Sequence, residues 1–287
     1  DGETADSRRC TMLTATIDQG DLQPQEDGKL GAFDVGVINP GETGCHSEDD
    51  VTMYTASAPS IDRIEEDFAC LADGSRTLTV HAQNKGFLEI ADGMTTEQPM
   101  VQAGGQFYPV DSMENCSDSS KLSRVERCGS VTFTLPQKDL AAADHEIKVH
   151  QPDPALCAGD SSVTLKVEPS PTVSDVKQQP LCNAQLDNTV TLTGQFLKVD
   201  GNLPTVQIGQ VTYNDTSVSA SSCSAASTIS SRSVSRCTTL TVQTKASDNL
   251  SAGLDDVVVT NPNATDPSTT GCASEDDETL RMEPPPT

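Results

Sequence analysis

The chain is built from short runs in which apolar and polar residues alternate. Thr77-Leu78-Thr79-Val80, Val131-Thr132-Phe133-Thr134, Thr189-Val190-Thr191-Leu192 and Asp256-Val257-Val258-Val259 each place apolar side chains at alternate positions. Val, Thr and Leu dominate these runs, and clusters of Pro, Gly, Asn, Asp and Ser separate them. A period of two puts one apolar face against a core, so the pattern predicts half-buried antiparallel strands with turns about every 8–12 residues. Helical spacing is absent. Leu140–Ala143 and Leu250–Gly253 are long enough for a single turn and belong where sheets turn a corner.

The strand pattern repeats, and the cysteines mark its period. The stretches that begin at Cys10, Cys128 and Cys237 align with one another, as do those around Cys70 and Cys182. All ten cysteines fall into four classes: Cys70 and Cys182; Cys116 and Cys223; Cys10, Cys128 and Cys237; Cys45, Cys157 and Cys272. Offsets within a class run from 107 to 118 residues, so one unit of near 112 residues accounts for every cysteine. The expected organisation is two and a half copies: residues 1–58 as the C-terminal half of a unit, then 59–168 and 169–287 as whole units.

About seven short strands in such a length matches an immunoglobulin-like sandwich, although the antibody Cys…Trp…Cys signature is missing. The last unit opens with Pro171-Thr-Val-Ser-Asp-Val. It continues through Thr191-Leu-Thr-Gly-Gln-Phe-Leu197 and Pro204-Thr-Val-Gln-Ile-Gly209, and closes with Gly253-Leu-Asp-Asp-Val-Val-Val-Thr-Asn-Pro262. That order resembles the IPT/TIG immunoglobulin-like domain. The middle unit departs from it, with His81-Ala82-Gln83 in place of Thr-Gly and His150-Gln151-Pro152 in place of Thr-Asn-Pro. The resemblance implies an all-β chain of tandem immunoglobulin-like sandwich modules, extracellular and used as spacers, adhesins or accessory domains of surface enzymes. Phe87, Leu88, Phe196 and Leu197 are expected in the cores. Gly194 is expected to permit a bend or a positive φ. Asp92-Gly93 and Asp200-Gly201 read as tight turns.

Wide, periodic cysteine spacing without any CxxC favours disulfides in an oxidising compartment over zinc. Bridges Cys116–Cys128 and Cys223–Cys237 would close polar loops that cannot order themselves, each worth about 3 kcal/mol in the chain-entropy picture. The remaining classes admit two pairings: Cys70–Cys157 with Cys182–Cys272 inside units, or Cys45–Cys70 with Cys157–Cys182 across linkers. In an immunoglobulin-like unit the loop that holds the fourth-class cysteine lies opposite the exit of the last strand, so a bond across the linker would have to bridge nearly a whole domain length. Bridged Cα atoms must come within about 7 Å, so the pairing inside units is preferred. It leaves Cys10 and Cys45 unpaired or externally paired, to be completed by upstream sequence or another copy.

Composition narrows the function. A net charge of −25 argues against nucleic acid and against an anionic membrane, and no run of about 18 apolar residues could span a bilayer. The given sequence opens without a basic, apolar, small-residue leader, so an export signal is expected to have been removed or to lie outside it. No GxSxG elbow is present, His46, His81, His145 and His150 lie outside the last unit, and the paired carboxylates sit in loop-like sequence, so no catalytic role is expected. Calcium suits the acidic runs Glu48-Asp49-Asp50 and Glu275-Asp276-Asp277 and the turn residues Asp92 and Asp200, but no EF-hand or nonapeptide repeat is present and a plain acidic surface is the preferred reading. Sequons occur at Asn115, Asn214, Asn249 and Asn263. The chain is thus expected to be a non-catalytic structural or adhesive segment on or outside a cell. Its expected partners are neighbouring modules or copies of itself, with recognition of a surface glycan or protein as the alternative.

Overall fold

A computed structural model describes residues 12–17, 30–38, 47, 51–65, 68–70, 75–84, 86–92, 94–119, 122, 124–136, 139–153, 155, 157–159, 161–177, 180–182, 187–225, 233–262, 272–275 and 278–284. Their regular secondary structure is almost all strand; the one helical element among them is a three-residue 3-10 turn, Ala246–Asp248. Cys10 and Cys45, the Glu48-Asp49-Asp50 run, Asp276, Asp277, His46 and Asn263 lie outside the described residues. The chain divides into two compact units, residues 1–57 and 58–287.

In the first unit, β1 (Gly31–Val35) pairs antiparallel with β2 (Val51–Thr55). Thr52 Oγ1 donates to Asp34 Oδ1 across the ladder at 3.2 Å. These two strands form the one sheet described in this unit.

The second unit holds two cores. The first is built from β3 (Ile61–Ile64), β4 (Phe68–Cys70), β5 (Arg76–Ala82), β6 (Phe87–Asp92), β7 (Thr95–Glu97) and β8 (Met100–Ala103). Then come β9 (Gln106–Glu114), β10 (Ser117–Asp118), β11 (Val125–Cys128), β12 (Ser130–Leu135), β13 (Ala143–His150) and β14 (Val163–Glu168). Their order is β3-β5-β12-β9-β8-β13-β14-β4 in one sheet and β10-β11-β6-β7 in another. The hairpin β8–β9 turns on Gly104 and Gly105, both at positive φ, and so joins two four-strand halves into a half-barrel. This differs from the two separate sheets of a plain sandwich, because β9 is hydrogen-bonded to β8 on one side and β12 on the other. Alternate residues point inward: Leu78, Val80, Phe87, Val131, Phe133, Ile147, Val149 and Leu165 are fully buried.

The second core uses β15 (Thr172–Lys177), β16 (Leu181–Cys182), β17 (Asn188–Val199), β18 (Thr205–Ile208) and β19 (Val211–Tyr213). It is completed by β20 (Val218–Ala225), β21 (Val234–Thr244), β22 (Gly253–Thr260) and β23 (Thr279–Glu283). Two sheets form, ordered β15-β17-β21-β20 and β16-β23-β22-β18-β19, around Val190, Leu192, Phe196, Leu240, Val257 and Leu280. Here one strand, β17, spans what β5 and β6 share in the first core, where Asn84 at φ 60° breaks the run. Both cores tie a tyrosine to an aspartate in the connection before their penultimate strands, Tyr108 to Asp139 at 2.6 Å and Tyr213 to Asp248 at 2.9 Å. Burial, then the hydrogen bond to the carboxylate, raises both phenol pKa values.

One glycine departs from expectation and one turn matches it. Gly194 lies inside β17 at a shift in register and not at a strand exit. What it provides is a close approach, since a Cβ there would run into the Thr172 carbonyl oxygen. Asp200-Gly201 does form a tight turn, with φ values of 49° and 90° and a bridge between Val199 and Asn202, the geometry of a type I′ hairpin.

Disulfides join Cys116 to Cys128, Cys223 to Cys237, and Cys70 to Cys272. The last corrects the expected Cys70–Cys157 and Cys182–Cys272 pairs. Cys70 sits in β4, parallel to β14 and opposite Glu168 at its end, whereas the Cys157 carbonyl accepts from Gln151 before that strand begins. The two are separated by at least the six residues of β14, about 20 Å of strand. Cys182 likewise lies opposite Glu283 at the end of β23, while Cys272 lies before its start. The long separation thus belongs to the pairs inside units. The exit of β14 is adjacent to the loop before β23, and Cys70 meets Cys272 there with Cα atoms 5.7 Å apart.

Candidate functional site at the joint between the two cores

Strand β14 ends on Glu168 because Pro169 cannot continue a ladder. Two residues later Pro171 leads into β15. Burying a lone carboxylate is costly, yet Glu168 is only 1% exposed. Its compensation comes from the second core. Arg236 Nη2 donates to both carboxylate oxygens, at 2.6 and 2.8 Å. On its own side, Lys166 Nζ lies 3.9 Å away. Arg236 reaches this point because it precedes Cys237 in β21, a strand pinned to β20 by the Cys223–Cys237 bond. The Cys70–Cys272 bond and the Glu168–Arg236 pair therefore cross the same joint.

A cleft of about 310 Å³ opens at this joint, lined among others by Glu168, Pro169, Gln195, Phe196, Arg236 and Asn261. Asn261 is buried, and its Oδ1 accepts from the Leu197 amide at 2.9 Å. Its Nδ2 has no hydrogen-bond partner among the described residues. The equivalent side chain of the first core, Gln151, satisfies both ends, accepting from Leu88 N at 3.0 Å and donating to Gly86 O at 2.6 Å. One methylene decides the difference: the shorter asparagine holds the strand but leaves a donor in the cleft.

A second surface lies on the outer face of β8, β9 and β13. Phe107 is 52% exposed, and its ring meets His150 edge-on with centroids 4.9 Å apart. His150 Nε2 is 2.9 Å from Gln102 Oε1, and Met100 flanks the strip. Burial first, then Lys148, lowers the His150 pKa.

The residues considered for chemistry are not assembled into a catalytic group among the described residues. His81 binds Glu65 at 2.6 Å and His145 the Ala141 carbonyl at 2.7 Å. Cys116, Glu126 and Cys128 cluster tightly, but both sulfurs are spent in a disulfide and cannot act as thiolate ligands. Of the calcium candidates, Asp200 spends Oδ1 on the Ser233 amide at 2.8 Å. The joint residues Glu168 and Arg236 were not singled out by sequence. Their signal was present nonetheless: each core's final strand ends on the glutamate of a Glu-Pro pair, at 168–169 and 283–284, and an arginine precedes each of Cys10, Cys128 and Cys237.

The chain is therefore an all-β, disulfide-bonded protein of the kind that persists in oxidising, extracellular-type compartments. No helix among the described residues is long and apolar enough to cross a membrane. No known family profile matches the chain, and no curated protein matches it. Among solved structures it is similar to a Bacteroides ovatus mixed-linkage glucan utilization locus protein, SGBP-B, in complex with a mixed-linkage heptasaccharide. Identity there is 13%, over 89% of this chain and 54% of the other, at a TM-score of 0.25. It is also similar to Escherichia coli alpha-2-macroglobulin activated by porcine elastase, at 12% identity over 88% of this chain and 24% of that one, TM-score 0.25. The chain thus spans about half the length of the first and a quarter of the second. At that score neither likeness bears on function.

Proposed function

We propose that the chain is a non-catalytic structural segment of an extracellular or cell-surface protein. In this reading residues 59–168 and 169–287 are IPT/TIG-like immunoglobulin-like modules, and 1–58 is the C-terminal half of another. Their joint is locked so that successive modules act as one stiff piece. The observation that carries the reading is the covalent Cys70–Cys272 bond beside a buried, charge-assisted Glu168–Arg236 pair. A bond between strand exit and following loop makes tension bypass most of both cores.

Force spectroscopy tests this. The bond encloses a sequence separation of 202 residues, so reduction should add about 700 Å of releasable contour length at up to ~3.6 Å per residue. An unchanged unfolding length after reduction would contradict a force-bearing staple.

The second reading, recognition of a glycan or protein, rests on Phe107. An exposed aromatic ring flanked by an amide and an imidazole offers an apolar face with polar groups at its rim, the chemistry that holds a sugar ring or an interface side chain. Titration calorimetry against oligosaccharides, with Phe107→Ala as the control, tests it. Binding that Phe107→Ala abolishes supports this reading, and binding unaffected by that variant places recognition elsewhere.

A further inference from the structure

The two cores treat one seam differently. In the first, β9 runs unbroken from its pairing with β8 to its pairing with β12. In the second, the same course is split into β19, paired with β18, and β20, paired with β21. Residues Asn214-Asp215-Thr216-Ser217 make the break. The Ser217 and Val218 amides close this turn, both donating to the Asn214 carbonyl at 2.8 Å. Asp215 Oδ1 ties it to the chain before β18, accepting from Leu203 N at 3.2 Å. The split leaves β19 and β20 as the outermost strands of their two sheets among the described residues. Neither strand carries a charged residue or a proline, the common devices that keep an edge from pairing with another chain.

Asn214 heads a sequon at this corner, Asn214-Asp215-Thr216. All three residues are exposed. The Asn214 Oδ1 accepts from Thr216 Oγ1 at 3.0 Å and from the Thr216 amide at 3.4 Å. Those bonds use the oxygen and leave the Nδ2 group unengaged among the described residues. The other described sequons differ. At Asn249 the Nδ2 donates to the Ser247 carbonyl at 3.0 Å. At Asn115 the middle residue of the sequon, Cys116, is bonded to Cys128.

We propose that Asn214 is the acceptor of an N-linked oligosaccharide, which covers the two open edges that flank its turn. This rests on the reading of the chain as extracellular. The co-reactant is an oligosaccharide carried on a lipid pyrophosphate. Nδ2 attacks C1 of its first sugar and a C–N bond forms. The C1–O bond breaks, and the lipid pyrophosphate leaves with the electron pair. One Nδ2 proton passes to a base of the transferring enzyme, and nothing is oxidised or reduced. The Thr216 hydroxyl favours this course, because negative charge moves onto Oδ1 as Nδ2 gives up its proton. A bulky, hydrated chain then stands at the corner where the strands themselves supply neither charge nor proline.

The test starts from the full-length, disulfide-bonded chain made without glycosylation. A purified oligosaccharyltransferase and a lipid-linked oligosaccharide are added, and glycopeptides are quantified by mass spectrometry. Occupancy of Asn214 should exceed that of Asn249 roughly five-fold, because the Asn249 amide must first leave the Ser247 carbonyl. It should exceed that of Asn115 as well. Thr216→Ser should retain transfer and Thr216→Val should abolish it. A bare Asn214, or equal occupancy of Asn249 or Asn115, overturns the proposal. Light scattering then compares the glycosylated chain with the same chain after enzymatic release of the glycan. Release converts Asn214→Asp and so keeps an oxygen to accept from Thr216. Self-association should rise on release, and unchanged association would overturn the covering role. Absence of the Cys116–Cys128 and Cys223–Cys237 peptides from the unreduced digest would instead remove the extracellular reading beneath it, so the two failures are distinguishable.

Discussion

Removing either partner of the Glu168–Arg236 pair breaks the same hydrogen bonds, yet the two substitutions should differ in cost. The Glu168 side chain is 2% exposed and that of Arg236 is 49% exposed. Arg236→Ala therefore strands a buried carboxylate, with Lys166 3.9 Å away as its remaining cation. Breaking a buried pair in this way costs about 3–5 kcal/mol, and the lysine places the expected value at about 3 kcal/mol. Glu168→Gln leaves an arginine that water can reach, so the loss is that of a charge-assisted hydrogen bond, about 1.5 kcal/mol. At roughly 2–4 °C per kcal/mol for a unit of this size, the first variant should lose about 6–12 °C in Tm and the second about 3–6 °C. Scanning calorimetry is the suitable assay, because the chain has no tryptophan and three tyrosines. Equal losses, or a larger loss for Glu168→Gln, would refute the idea that the carboxylate is the desolvated partner.

Three further outcomes follow from other residues. Cys70→Ser should lower stability by up to about 5 kcal/mol in the chain-entropy picture, given the separation of 202 residues; chemical denaturation measures it, and a loss below that of opening Cys116–Cys128 would contradict the account. Gly194→Ala should cost about 1–3 kcal/mol, because the new methyl group must displace the Thr172 carbonyl or shift β15 against β17; a neutral variant in the same assay would show that the register shift absorbs it. The folded pKa of His150 is lowered below its ordinary 6.5, so the unfolded chain takes up the proton first. Its contribution is full above about pH 6.5 and is lost as pH falls through the window below that value. Tm should drop less between pH 7 and pH 5 in His150→Gln than in the parent, and identical slopes would remove His150 from that window.

Much of the architecture is legible in the alternation of Val, Thr and Leu. The runs around Leu78, Val131, Val190 and Val257 are strands β5, β12, β17 and β22, since a period-two run with one apolar face has few other ways to be buried. The joint is less legible. The repeat identifies equivalent cysteines but not the end of the strand on which each one stands. That depends on β4 and β16, strands of three and two residues added in parallel at an edge, too short to carry a periodic signature. Glu168 is equally hidden. In a chain with 43 acidic residues, nothing local marks the one whose side chain lies beneath an arginine of the next core. The half-barrel closure escaped for a related reason: a Gly-Gly turn announces a hairpin, but not that its two strands belong to different halves of a sheet. The unmet Nδ2 of Asn261 is a matter of one methylene against Gln151, visible only once both side chains are seen against their strands.

The most direct test of the whole account is the disulfide map of the unreduced protein. Digestion without reduction, followed by mass spectrometry, should yield a linked pair of peptides carrying Cys70 and Cys272. A peptide joining Cys70 to Cys157, or Cys182 to Cys272, would mean that each core is closed on itself and that no covalent bond crosses the joint.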